Sequence, residues 1–291
     1  MDDNDWLAER FESHRTHLRA VAYRMLGSLT EADDAVQESW LRLSRTDTSD
    51  VASLGGWLTT VVGRVCLDML RSRRARREEP ASRLPDPVVG RADGFDPEHQ
   101  ALLANSVGLA LLVVLDTLDP AERLAFVLHD MFALPYDEIA PIVGRSLGAT
   151  RQLASRARRR VQGVPTTPDP DLGRQRAVVD AFFAAARDGD FGRLVAVLDP
   201  DVVLRSDGGV LPPGTSHLVH GAEAVAGQAF AFRASGEAGT PEPVLVNGAA
   251  GMVVRREGRP RVVFGFTVVD GRIVEIDILA DPERVAHLVL E

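Results

Sequence analysis

"YDEIAPIVGRSLGATRQLASRARRRV", residues 136–161, decides how the chain is organised. Its opening reads as a short helix, Gly144 as a turn, and Ser146 as the cap of a second, longer helix. On that second helix Thr150, Ala154, Ala157 and Val161 fall on one face, so Arg151, Gln152, Ser155, Arg156 and Arg159 point away from the core. Arg145, Arg158 and Arg160 extend the basic run, and no acidic residue stands between 145 and 160. A helix-turn-helix with its cations segregated on the second helix is the layout that enters a DNA major groove: outward side chains reach base edges while neighbouring arginines meet phosphates. A solvated basic face on a packed helix is the alternative; turn, cap and segregated charge together favour DNA.

The run stands out because the chain is acidic, with a net charge of −9 over 291 residues. All 33 basic residues are arginine, a side chain suited to phosphate contact. The length allows two or three domains, each with its own core. No apolar run reaches the length of a membrane span, and the N-terminus "MDDNDWLAERFE" lacks the basic-then-apolar layout of a signal peptide. The single Cys66 lies among apolar residues, which predicts a buried thiol, no internal disulfide and a cytoplasmic setting.

Working outward, Leu7, Phe11, Leu18, Val21 and Met25 mark one face of a first helix over 5–26. Thr30 with Asp33 reads as a capping box for a second helix carrying Ala32, Val36, Trp40 and Leu43. Leu58, Val62, Val65 and Met69 define a third, which runs into Arg71, Arg73, Arg74, Arg76 and Arg77 before Pro80 stops it. These three form a helical bundle over 1–79. Residues 80–97, rich in Pro, Gly and Asp, read as a flexible linker. A second helical unit over 98–163 begins near Glu98 and contains Asp119 as cap, Pro120 in the first turn, Glu122 at the third position, and a buried face of Leu124, Val127, Leu128 and Met131. A further Pro-rich linker spans 164–173.

From 174 to 291 the pattern changes to helices followed by alternating strands, which predicts an α+β domain with an antiparallel sheet. Asn247-Gly248 and Asp270-Gly271 suit tight hairpin turns because they accept positive φ. If the domain has an interior cavity, Asp207, His220 and Asp277 are the candidate general bases. Strand alternation places Glu275 and Asp277 on one side, opposite Ile276 and Ile278, and reads that side as solvated. Neither His14 with His17 nor His217 with His220 has the supporting ligands of a metal site, and no glycine loop for a nucleotide is present.

"DDAVQESWLRL" at 33–43, "GGWLTTVVGRVCLDMLRSRRARR" at 55–77 and "LDPAERLAFVLHDMFALPYDEIAPIVGRSLGATRQLASRARRRV" at 118–161 resemble, in order and spacing, the sigma-2 and sigma-4 domains of bacterial extracytoplasmic-function sigma factors. The remainder is similar to the subgroup that carries a C-terminal SnoaL-like domain. "RLPDP" at 83–87 resembles its Trp-Leu-Pro-Glu-Pro linker motif, with Arg83 in the aromatic's place. "SDGG" at 206–209 resembles its Asp-Gly-Gly-Gly stretch, with Val210 for the last glycine, and "DPERV" at 281–285 its Asn-Pro-Asp-Lys-Leu ending. "NGAAG" at 247–251 is similar to its Asn-Gly turn. The fold implied is multidomain: two all-α sigma domains, a sigma-2 bundle and a sigma-4 helix-turn-helix, followed by an α+β SnoaL-like cone.

The resemblance implies roles. Asp33, Asp34, Gln37, Glu38 and Leu41 would bind the clamp helices of the β′ subunit of core RNA polymerase, and the polymerase β flap is a second expected contact. Trp57, Arg64, Asp68, Arg71 and Arg74 would read the minus-ten element as a melted strand, where bases stack on an aromatic ring and phosphates follow cations. Ser146, Arg151, Gln152, Ser155, Arg156 and Arg159 would read the minus-thirty-five element as duplex. Leu84, Pro85, Asp86, Pro87, Asp207, Gly208, Gly209, Asn247, Gly248, Asp281 and Pro282 would dock linker and tail on the SnoaL-like domain, which is expected to regulate in cis, without a catalytic residue or cofactor; a small-molecule ligand for it stays open. Opening about ten base-pair steps costs on the order of 14 kcal/mol, and stacking returns about 1–3 kcal/mol per base, so polymerase must supply the rest. Two other readings remain at this point. One is a polymerase-independent repressor, which requires dimerisation and half-sites about one helical turn apart. The other is a SnoaL-like enzyme fused to a DNA-binding module.

Overall fold

The structure, a computed structural model, describes residues 3–46, 53–76, 83–93, 108–162, 169–209, 217–234 and 239–288. The expected stop at Pro80, Arg77, the start of a helical unit near Glu98, and residues 164–168 of the second linker lie outside the described residues. The chain divides into two compact units: one holds the described residues up to 76 together with 112–162, the other holds 83–93, 108–111 and 169–288. No helix among the described residues is long and apolar enough to cross a membrane.

In the first unit, helix α1 spans Asp3–Leu26, α2 Leu29–Leu43 and α3 Leu54–Arg76. Phe11, Leu18, Val21 and Met25 of α1 are buried with Val36 and Leu43 of α2 and Leu58, Val62 and Val65 of α3. Gly27, at φ +69°, ends α1 and donates its N–H to the Tyr23 carbonyl. The left-handed region suits glycine there because it lacks a Cβ. The cap of α2 is Ser28, whose hydroxyl accepts the Glu31 N–H at 3.5 Å, and not Thr30 as the sequence suggested. The helix restarts directly after Gly27, and Asp33 is engaged instead by Arg19 at 2.6 Å.

Helix α4 covers Leu109–Asp116 and α5 Pro120–Phe126, continued by a π-helical turn at Val127–Met131. Helices α6, Tyr136–Val143, and α7, Leu147–Val161, complete the helix-turn-helix. The two helical segments, expected to be separate modules on a flexible tether, share one core. A Cβ on Gly63 of α3 would lie 3.3 Å from a Leu128 methyl and 3.4 Å from one of Leu124. The guanidinium of Arg123, 2% exposed, donates to the Arg24 carbonyl at 3.1 Å and pairs with Asp116. Arg24, 1% exposed, lies over the Phe132 ring at 4.9 Å, and burial lowers its pKa to about 10. The Cys66 thiol is buried, and burial pushes its pKa up.

The second unit is a seven-stranded sheet with helices α8 Leu172–Asp188, α9 Phe191–Ala196, α10 Ala222–Ala234 and α11 Pro282–His287. Its strands are β1 Val89–Arg91, β2 Leu198–Asp207, β3 His217–His220, β4 Thr240–Val246, β5 Ala249–Arg256, β6 Arg259–Val269 and β7 Arg272–Leu279, in the order β1-β4-β5-β6-β7-β2-β3. All neighbours are antiparallel except β2 and β7. The wholly antiparallel expectation fails there for a topological reason. After β3 the chain passes through α10 to β4, far from β2 in the sheet; hairpins then bring β7 back beside β2 in the same direction. Asn247-Gly248, Glu257-Gly258 and Asp270-Gly271 all have positive φ at both positions, as two-residue hairpin turns of this hand require. The Glu257 turn was not anticipated.

One sheet face forms the core with α8, α9 and α10, through Val179, Phe182, Leu194, Met252, Phe266 and Ile276 among others. The linker expectation also changes. Residues 89–91 pair with 244–246 as an edge strand, so at least this part of 80–97 is a component of the sheet.

Candidate nucleic-acid interface and linker clasp

Gly144 takes φ +71° at the end of α6, and the Ser146 hydroxyl accepts the Ala149 N–H at 3.3 Å to start α7. Thr150, Ala154 and Ala157 are buried, and Arg151, Gln152, Ser155, Arg156 and Arg159 are exposed together on the opposite face. The other arginines of the run are partly held within the fold. Arg158 donates to Asp130 and to the Tyr136 hydroxyl, each at 2.5 Å, and these bonds raise its pKa. Arg160 reaches the buried Glu122 at 2.9 Å, with Arg156 farther off at 3.8 Å. Arg151 lies 5.9 Å from the Tyr136 ring centroid. Among the described residues Arg151 and Arg159 have no ion pair.

On α3, Arg64, Asp68, Arg71 and Arg74 are exposed along one stripe that begins at the half-buried Trp57. Trp57 and Arg64 line a depression of about 400 Å³ together with Arg42, Arg45, Thr46, Thr60 and Val61. Arg42 and Arg45 belong to α2 and the residues just after it, so their approach to Trp57 was not visible in the spacing along α3. Arg74 pairs with Asp119. Asp119 heads α5, but its side chain makes no capping hydrogen bond; its carboxylate serves that ion pair.

On α2, Asp33, Asp34, Gln37 and Leu41 are exposed and Glu38 is half-buried. Asp33 is paired with Arg19 and Glu38 with Arg42 at 3.0 Å. Leu41 is 39% exposed, while Trp40 packs on Phe11 with ring centroids 5.2 Å apart. Acidic and amide groups thus surround an exposed leucine on this face, whose chemistry differs from that of the two arginine faces.

The third set of residues meets in the second unit. In "RLPDPV" Pro85 and Pro87 have no N–H, and the amides of Leu84 and Val88 are both taken by side chains: Asp207 Oδ2 accepts from Leu84 at 2.9 Å and Asn247 Oδ1 from Val88 at 3.0 Å. Asn247 returns its own N–H to the Val88 carbonyl at 2.9 Å. Its positive φ and that of Gly248 form the turn that presents this side chain. Arg284 joins the pieces, donating to Asp86 at 2.8 Å, Asp207 at 2.6 Å and the Leu84 carbonyl at 2.5 Å. Asp281 caps α11 by accepting from Glu283 and Arg284 N–H groups, with Pro282 in the first turn. A Cβ on Gly209, at φ +67°, would strike the Asp281 carboxylate, and Gly209 donates to Asp207 at 3.0 Å beside the buried Gly208. The expected linker and tail residues are therefore brought together. Arg284, which binds them together, stands inside the "DPERV" stretch, but nothing in that stretch alone marks it out.

Glu275 and Asp277 share a side, as alternation requires, but it is not solvated: each is 3% exposed, and both pair with Arg205. This second sheet face is covered too, with a Leu109 methyl 3.1 Å from where a Cβ would stand on Gly265. Burial pushes Asp277 up to about 6, against the pull of Arg205. The folded chain thus holds this proton to higher pH than the unfolded one, so this group's contribution to stability is greatest below about pH 4 and falls as pH rises through 6. Over that interval Asp277→Asn should gain stability relative to the parent by up to about 3 kcal/mol, read from urea unfolding at pH 4.5 and 7.5; a difference that stays constant with pH would refute the assignment.

Family models describing Sigma-70 region 2 and Sigma-70, region 4 match residues 10–76 and 108–161. The chain is 38% identical over 288 residues to the ECF RNA polymerase sigma factor SigJ of Mycobacterium tuberculosis, covering 94% of this chain and 91% of the relative. It is also 38% identical over 208 residues to the probable ECF RNA polymerase sigma factor SigI of the same species, covering 69% and 70%. The crystal structure of M. tuberculosis SigJ superimposes with a TM-score of 0.77 at 35% identity, covering 97% of this chain and 99% of that one. Two sigma regions in the expected order, a helix-turn-helix with its arginines outward and a relative matching almost end to end converge: the chain belongs to the ECF RNA polymerase sigma factors, with a C-terminal SnoaL-like domain.

Proposed function

We propose that this alternative sigma factor grips its promoter through two faces of different chemistry. The α3 stripe of Arg64, Asp68, Arg71 and Arg74 follows the separated strand at the minus-ten element, with Trp57 and its arginine-lined depression receiving an unstacked base. The α7 face of Arg151, Gln152, Ser155, Arg156 and Arg159, with the exposed Ser146 at its start, reads the minus-thirty-five duplex in the major groove. The α2 face of Asp33, Asp34, Gln37, Glu38 and Leu41 docks on the β′ clamp of core RNA polymerase, and the helix-turn-helix module meets the β flap. The chain acts in the cytoplasm, where chromosome and polymerase are. The observation that carries this reading is the pair of exposed arginine faces on α3 and α7, each opposite a buried apolar stripe of its own helix.

The packed state of the first unit is a resting state. Minus-ten and minus-thirty-five elements lie roughly 85 Å apart at 3.4 Å per base pair, whereas α3 is about 35 Å long at 1.5 Å per residue. The Gly63 contact and the Arg74–Asp119 pair must yield before both faces reach DNA. The SnoaL-like domain acts in cis on this transition by holding the segment after α3 through the Arg284 clasp. It does so as a regulator and not as an enzyme: Asp207 and Asp277 are engaged by arginines and His220 is exposed on β3.

The direct test is a permanganate footprint on a cognate promoter selected from a library. Thymines of the minus-ten element become reactive when core polymerase and this chain are both present and stay protected with the chain alone. Reactivity without polymerase would contradict the reading.

A further inference from the structure

The second unit contains a cavity of about 1160 Å³ between the sheet and helices α8, α10 and α11. Its walls are apolar, with Phe182, Phe183, Leu204, Phe264, Ile276 and Ile278 among them. Among the described residues its charged lining has one sign: Arg187, Arg233, Arg256, Arg259 and Arg261, with no aspartate or glutamate. In a chain with 42 acidic and 33 basic residues, five arginines gathered on one wall set it apart from the rest of the surface. Arg256, Arg259 and Arg261 are exposed around the Glu257-Gly258 hairpin, and Arg233 is exposed near the end of α10. None of these four has an ion pair among the described residues.

A second observation comes from His217 on β3. Both of its ring nitrogens are buried without a hydrogen-bond partner among the described residues, and the ring lines the same cavity. A buried imidazole left unbonded is costly, and a carboxylate oxygen is the acceptor its N–H lacks. Asp207, His220 and Asp277, the general bases considered from sequence, do not line the space. The described lining therefore offers an apolar pocket, cations and one histidine donor, and among these residues no carboxylate that would repel an anion.

We infer that the SnoaL-like domain binds a small anionic amphiphile here, an apolar carboxylic acid whose hydrocarbon body rests on the phenylalanine and isoleucine wall while its carboxylate meets the arginines and His217. Cavities of this size and polarity suit single small molecules, and guanidinium groups in a half-enclosed site favour planar oxyanions over neutral polar groups. The inference does not depend on the promoter contacts, since binding is read directly.

The experiment uses the full-length chain and 1-anilinonaphthalene-8-sulfonate, an aromatic sulfonate that fluoresces when bound, beside its uncharged counterpart N-phenyl-1-naphthylamine. Saturable one-to-one binding is expected, with dodecanoate displacing the sulfonate at least about tenfold more effectively than dodecanol. The triple variant Arg256→Gln/Arg259→Gln/Arg261→Gln, in which only exposed side chains change, should weaken sulfonate binding about tenfold or more and leave the uncharged dye within about twofold. Ala229→Phe, which fills the space from α10, should remove both dyes. The inference is overturned if the parent shows no saturable binding, if the triple variant keeps the parent's preference for the anion, or if a folded Ala229→Phe protein binds both dyes as before. Should Ala229→Phe fail to fold, the triple variant alone decides.

Discussion

Exchanging Arg151 and Arg156 for glutamate is expected to cut promoter-specific RNA synthesis by at least about 30-fold when the chain is reconstituted with core polymerase. Each well-placed arginine contact is worth about 1–3 kcal/mol of discrimination, and 1.4 kcal/mol is about tenfold. Two lost contacts give about 2–6 kcal/mol before repulsion of the phosphates is added. Both side chains are exposed; Arg156 stands 3.8 Å from the buried Glu122, which keeps its closer partner Arg160 at 2.9 Å, so Arg156→Glu adds a like charge there and should cost about 1–2 kcal/mol of stability. Circular dichroism and a melting curve separate the two effects. Reversing Arg71 and Arg74 should give a comparable loss through the strand contacts; Arg74→Glu also sets a like charge against Asp119, which lowers the melting temperature and by itself eases opening of the resting state, so the loss of transcription reports the DNA contacts. Normal transcription from either double variant would remove the basis of the proposed DNA contacts.

Arg284→Ala should have the second-largest effect, on the clasp. The side chains of Asp86 and Asp207 are 14% and 5% exposed, and removing the cation leaves two poorly hydrated carboxylates facing one another. Breaking one such buried pair costs about 3–5 kcal/mol, and at about 3 °C per kcal/mol for a unit of this size the melting point should fall by roughly 10 °C. Hydrogen exchange gives the sharper readout: the Leu84 and Val88 amides, both protected by side-chain acceptors, should lose protection together. Promoter output in the reconstituted system should change with them. Unaltered exchange at Leu84 would mean that Arg284 is not the clasp. This single substitution is a cleaner probe than deleting 165–291, because that deletion would also strip β1 of its sheet partner β4.

The helix-turn-helix was legible because everything that specifies it is local: a glycine at φ +71°, a serine cap, and a repeat that sorts small residues inward and arginines outward. The hairpins at Asn247 and Asp270 were legible for the same reason. Non-local facts were not. Alternation along β7 correctly placed Glu275 and Asp277 together, but a period of two says which residues share a side and nothing about what covers it. The proline-rich segment around 85–87 read as a tether because prolines disfavour helix; its recruitment as an edge strand depends on partners more than 150 residues away in "VLVN". Arg284 stands inside "DPERV", yet its role appears only when Leu84, Asp86 and Asp207 surround it. Ser28 and Thr30 both precede an acidic residue by three positions, so spacing alone does not choose between them; the break at Gly27 does.

The seam between α3 and α5, where Gly63 admits Leu124 and Leu128, bears on how spacer length is measured. A protein whose two DNA-reading helices are locked at promoter distance would carry its own ruler and would reject a spacer altered by one base pair, which turns the elements about 34° relative to each other. On the proposed reading, the unbound molecule packs α3 against α5 and so does not set that distance itself. The polymerase surface on which the opened sigma factor would be spread is, on the same reading, the gauge for the distance between promoter elements, and tolerance to spacer changes should then follow the identity of the core enzyme.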